Sequence, residues 1–143
     1  MRLNDKIEEA LASLVSAAVG DLASVVTGKA SGTKALPVVI CAANGSGEDD
    51  PPGSGNFWVD VAVQVKTSAS DSETAKEDSQ AIIDAVASVV EAEGLPDQIT
   101  NSGLGVTVLS PQVKYTAPES GQDEEGAWID SITIGFYACE SSF

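Results

Sequence analysis

An α+β fold, with two helices packed on one face of a mainly antiparallel sheet, is predicted by three features of this sequence. Apolar residues recur at helical spacing in two segments; they alternate, or run continuously, in four shorter ones. The two kinds of segment follow one another as α-β-β-α-β-β, and stretches rich in glycine, proline and acids separate them. At 143 residues, 43% of them hydrophobic, the chain fits one domain spanning 1–143. Such a domain buries about two-thirds of the surface its unfolded chain exposes. Aromatics make up only 5%, so valine, isoleucine, leucine and alanine must supply the core.

The first helix opens at Asn4, a capping residue, with Asp5, Glu8 and Glu9 set against the positive end of the helix dipole. Ile7, Leu11, Leu14, Val15 and Ala18 share one face. The pattern lets this helix continue through Leu22 to Val26, with Gly28 and Gly32 ending it. Residues 36–43 are a short, β-branched apolar run and read as a strand. Residues 44–56 (NGSGEDDPPGSGN) read as an acidic loop with nothing to bury. In 57–67, Phe57, Val59, Val61, Val63 and Val65 face one way, and Trp58, Asp60, Ala62, Gln64 and Lys66 the other. The two strands form a hairpin around the loop.

Residues 71–93 give the clearest helix, capped by Ser70 or Asp71, with Glu73, Glu77 and Asp78 in its early turns. Its buried stripe is Ala75, Ile82, Val86, Val89 and Val90, flanked by Ile83 and Ala85, and Gly94 and Pro96 end it. Leu104, Val106 and Val108, with 112–115, make the next strand, Pro111 requiring a bulge or an edge. Residues 118–126 (PESGQDEEG) read as a second acidic loop. The last strand, 128–140, carries Trp128, Ile132, Ile134, Phe136 and Ala138 on one face, interrupted by Asp130, with Thr133 and Tyr137 outward. Trp128 is expected to cap the core beneath a helix.

Charge and composition exclude several functions. There are 22 acidic residues against 7 basic ones and no histidine, for a net charge of −15. That field repels phosphates, which argues against a DNA-binding patch or attachment to an anionic membrane. Salt adaptation accounts for the acidity equally well. The apolar run 10–19 resembles a signal core, but acids replace the basic segment that should precede it, and no stretch is long enough to span a bilayer. The chain therefore reads as soluble and unexported.

Without histidine the common proton shuttle, metal ligand and partner of a nucleophilic serine are all missing. Cys41 and Cys139 have no zinc-type spacing; two buried free thiols are favoured over a pair across neighbouring strands, and both remain open. GKASGTK (28–34) lacks the phosphate-loop spacing and the flanking strand and helix. Neither Glu48, Asp49 and Asp50 nor Asp123, Glu124 and Glu125 has the alternating carboxylates that wrap calcium. No catalytic residue, cofactor or metal is expected. The two acidic clusters read as solvated loops that become ordered at subunit contacts. Together with Trp58, which lies opposite the valine face and offers a large anchor, they are the candidate interface residues.

The arrangement as a whole resembles a family. An amphipathic helix precedes LPVVIC (36–41); after the glycine-rich acidic loop come FWVDVAVQVKTSASD (57–71) and SETAKEDSQAIIDAVASVV (72–90); WIDSITIGFYACE (128–140) closes the pattern. This is similar to the tail-terminator proteins of long-tailed bacteriophages and to related head–tail joining proteins, over nearly the whole chain. The resemblance implies a structural virion protein and not an enzyme: a ring, typically a hexamer, capping the tail tube and meeting the head connector. Its partners would then be further copies of itself, the tail tube protein and the head–tail connector protein. DNA would pass through without specific binding, in a virion assembled in the host cytoplasm. A closed ring needs a head-to-tail contact, for which strand edges, apolar anchors and long loops are suited. The alternatives are another neck, head-completion or tail-tube protein, or a small acidic binding module from a halophilic or marine source.

Overall fold

The computed structural model describes residues 3–28, 37–48, 57–67, 72–92, 94–109, 114–122 and 128–140. Helix α1 (Leu3–Val19) begins one residue before the expected cap, so Asn4 lies inside its first turn. Ile7, Leu11 and Val15 are buried as expected, but Val19 completes the stripe and Ala18 faces solvent.

The expected continuation of this helix to Val26 does not occur. Gly20 has φ +60°, a left-handed conformation in which glycine carries no side-chain penalty, and a short 3-10 turn (Gly20–Leu22) follows. Ser24–Thr27 then forms a strand, β1, parallel to the next one. Val25, Val26 and Thr27 are β-branched and suit a pleated surface better than another helical turn.

Strand β2 (Val38–Glu48) runs beyond the expected strand, well into the segment read as a loop. It pairs antiparallel with β3 (Phe57–Thr67), with a register shift between Gly45 and Glu48. Helix α2 (Ser72–Val90) ends three residues short of the expected bound at 93, ahead of Gly94 and Pro96. Pro96 does more than stop it, because a second helix, α3 (Leu95–Thr100), starts there. In a first helical turn the missing N–H of proline costs nothing, which permits this helix. Strands β4 (Val106–Val108) and β5 (Lys114–Gln122) replace the single strand expected across Pro111. Strand β5 also occupies the first half of the segment read as the second acidic loop.

Strand β6 (Trp128–Glu140) pairs with β3 along its length, from Phe57↔Ala138 to Thr67↔Trp128. Its other edge carries β5 and then β4, giving the sheet order β1-β2-β3-β6-β4 with β5 also on β6. Among the described strands only β1–β2 is parallel, so the α+β class and the mainly antiparallel sheet stand. Among the described residues three α-helices take the place of the expected two.

The core lies between the sheet and the helices. Val39 and Cys41 from β2, Val59, Val61, Val63 and Val65 from β3, and Ile132, Ile134, Phe136 and Ala138 from β6 meet Ile7, Leu11 and Val15 from α1. Ile82, Val86 and Val90 from α2, and Leu95 and Ile99 from α3, complete it. Each large apolar side chain contributes about 1.5–3 kcal/mol by leaving water. Asp130, which interrupts the apolar face of β6, is buried there and accepts a hydrogen bond from the Ser79 hydroxyl of α2.

Candidate functional site

Strand parity divides the sheet into two unlike faces. Side chains at odd positions of β3 and even positions of β6 enter the core; their neighbours point to the other side. On that other side the β3–β6 pairing sets Trp58 opposite Tyr137, Asp60 opposite Gly135, Ala62 opposite Thr133, Gln64 opposite Ser131 and Lys66 opposite Ile129. Ile40 and Ala42 of β2 extend the rows past Gln64 and Ala62. None of these residues belongs to the hydrophobic core cluster, and among the described residues the helices pack on the opposite face. The face mixes small, polar and half-buried apolar groups, with Asp60, Gln64 and Thr133 exposed.

Its largest feature is the pair Trp58–Tyr137. The ring centroids are 5.2 Å apart and the planes are tilted by 36°. Both side chains are half-buried, an intermediate state suited to aromatic residues that present one surface to a partner. Trp58 was legible as a surface aromatic from its parity alone. Tyr137 also read as outward, but its place beside Trp58 depends on the register of two strands far apart in sequence.

Of the acidic candidates, the structure describes the backbone of Glu48 alone. Glu48 is the last residue of β2, its backbone paired with Phe57 immediately beside Trp58; its side chain is outside the described set. Asp49, Asp50, Asp123, Glu124 and Glu125 lie outside the described residues, as do the parts of both loops expected to order at contacts. The remaining parts, 44–48 and 118–122, belong to strands and not to loops. The side chain of Trp128 is also outside the described set.

Sequence reasoning missed one polar device. Glu8, expected as a solvated dipole partner, is only 6% exposed. Its Oε1 accepts from the Gly28 N–H at 3.1 Å and its Oε2 from the Ala43 N–H at 2.8 Å. Strand β1 ends at Thr27, and the carboxylate takes the next ladder positions on β2 that β1 no longer supplies. A buried acid in α1 thus fixes where the parallel strand stops.

Cys41 and Cys139 are free thiols, Cys41 in the core and Cys139 half-buried on the opposite side of the sheet. Burial, and secondarily the Glu8 charge, push the Cys41 thiol up to about 12. A thiol held so strongly protonated is a packing group and no nucleophile. Among the described residues no three potential ligands cluster to hold a metal ion, and no helix is long and apolar enough to cross a membrane.

No family model and no curated protein matches this chain. Among 26 matching chains of solved structures is one from the virion of a native gene transfer agent (GTA) particle. It is 19% identical with a TM-score of 0.51, and the match covers 95% of this chain and 94% of that one. At that identity the likeness establishes a common fold, over essentially the full length of both chains.

Proposed function

We propose that this chain is a structural virion protein of a phage-like particle, a tail terminator whose copies form a ring at the end of the tail tube. The observation that carries the reading is the end-to-end fold match to a chain of a gene transfer agent virion. The match extends over 95% of this chain and 94% of that one, which supports a shared architecture throughout. A sheet face that the described helices do not cover, with an aromatic pair on it, gives the subunit a surface to bury against a neighbour.

In this role the chain performs no chemistry. Copies join head to tail until rotation closes the ring, strand edges and aromatic surface forming the contacts. The ring stops growth of the tube protein and presents its other side to the head–tail connector. A net charge of −15 gives such a ring an overall negative field, which favours passage of DNA without adhesion.

Electron microscopy of the purified full chain, with its mass measured by light scattering, tests the reading. Discrete rings of a single size are expected, and they should cap isolated tail tubes at one end. A chain that stays monomeric at high concentration and joins no tube overturns it. Stacking into long tubes assigns the chain to the tube itself.

A further inference from the structure

On the helix-bearing side of the sheet, a groove of about 520 Å³ lies between α1 and the segment from α3 to Leu104. Its origin is local. Helix α3 docks through Leu95, Pro96 and Ile99, which turns Asp97, Gln98 and Asn101 away from the core. Gly103 and Gly105, with φ +83° and +81°, then swing the chain back into β4. Across from them, Glu9 and Ser13 stand exposed on α1. The described residues leave the gap between the two walls unfilled.

We infer that this groove is a docking surface for a basic segment of a different protein, apolar side chains on its floor and arginine or lysine against its walls. The floor is apolar: Ala10 is buried, and Leu14 and Leu104 are half-buried. The walls are acidic, with Glu9 on one side and Asp97 on the other, and no lysine or arginine is among the described residues that line the groove. Neither carboxylate has a side-chain partner among the described residues, whose ion pair is Lys6–Glu140. Gln98 and Asn101 add amides able to meet a backbone. The volume falls within the roughly 300–1,000 Å³ of ordinary binding clefts.

Charge selects the occupant. A second copy of this chain, with 22 acidic residues against 7 basic, is a poor match for acidic walls. A basic segment of another protein is drawn to these acidic walls, which disfavour a second copy or nucleic acid in the groove. This surface is on the opposite side of the sheet from Trp58 and Tyr137, and the inference holds whether or not the chain forms rings.

The test is amide-resolved NMR of the full chain with the peptide acetyl-Leu-Arg-Leu-Arg-amide, against acetyl-Leu-Glu-Leu-Glu-amide. Salt at about 0.3 M screens diffuse attraction to the acidic surface. Shifts confined to residues 9–14 and 97–104 are expected with the basic peptide alone. The exposed double variant Glu9→Gln/Asp97→Asn, its fold checked by circular dichroism, should weaken binding by about tenfold. Absent shifts, shifts spread over other acidic surfaces, equal response to the acidic peptide, or unchanged affinity of the double variant each overturn the inference.

Discussion

Trp58 and Tyr137 stand directly opposite each other on β3 and β6, their rings 5.2 Å apart, on the sheet face that the helices leave uncovered. A half-buried aromatic outside the core contributes modestly to folding, and the pair adds about 0.5–1.5 kcal/mol. At a subunit contact the same residue is worth about 2 kcal/mol or more. Trp58→Ala should therefore lower the unfolding midpoint slightly while weakening self-association about thirtyfold or more. Urea unfolding of the isolated subunit and sedimentation of the assembly separate the two. A large loss of stability with association intact would assign Trp58 to the fold alone.

The second prediction concerns Glu8, whose two oxygens accept from two different backbone groups, Gly28 and Ala43. Glu8→Ala leaves the Ala43 N–H without its acceptor and should cost about 2–3 kcal/mol in urea unfolding. Glu8→Gln is not a mild replacement. An amide offers one acceptor oxygen and sets its NH₂ against the other backbone donor, so a comparable loss is expected. If glutamine restores most of the stability, the two-acceptor account fails.

Gly28 makes the same junction sensitive to a single methyl group. A Cβ there would lie 2.8 Å from the Ala42 Cβ and 3.2 Å from its Cα, so the strands must separate. That separation strains the Gly28 N–H bond to the Cys41 carbonyl, 2.8 Å long, as well as the one to Glu8. Gly28→Ala should destabilise by about 1–3 kcal/mol. Gly94→Ala is the control, because φ there is −86° and a Cβ meets nothing within 4 Å. Equal midpoints for the two variants would refute the close-approach argument.

These residues also mark what the sequence disclosed and what it concealed. Strict alternation in β3 and the long apolar stripe of α2 made both elements, and the outward position of Trp58, readable. β1 was hidden because Leu22, Val25 and Val26 fit a helical period as well as a strand, and a short apolar run does not distinguish them. α3 was hidden behind Pro96, which reads as a stop although it is tolerated in a first turn. Strands β2 and β5 extend into glycine-rich and acidic sequence because ladder pairing uses backbone groups and needs no apolar side chain. Glu8 looked like a solvated dipole partner, and only the end of β1 gives it a buried role. The groove beside Glu9 and Asp97 depends on α3, so it was equally out of reach.

Asp130 and Ser79 offer a measurable coupling between α2 and β6. Asp130 is 5% exposed and accepts from the buried Ser79 hydroxyl. Ser79→Ala should cost about 1–2 kcal/mol, and Asp130→Ala more, since it strands a buried hydroxyl. The double variant should show a coupling energy of about 1–3 kcal/mol. Simple additivity in denaturant unfolding would mean that the two groups stabilise the fold separately.

The last prediction follows from the Cys41 thiol, pushed up to about 12 by burial and by the Glu8 charge. In the unfolded chain a cysteine ionises near 8.5. Between these values the unfolded state loses a proton that the folded state keeps, so the folded state binds more protons and stability falls as pH rises. The contribution is fully present below about pH 8.5 and declines above it by up to about 1.4 kcal/mol per pH unit. Cys41→Ala should flatten this alkaline limb when unfolding midpoints are compared between about pH 8 and 10. In the same native protein at pH 8, a thiol reagent should modify Cys139 first and reach Cys41 only on unfolding, as burial withholds both the thiolate and the approach. Rapid alkylation of native Cys41, with the alkaline limb unchanged in Cys41→Ala, would contradict the placement of this residue in the core.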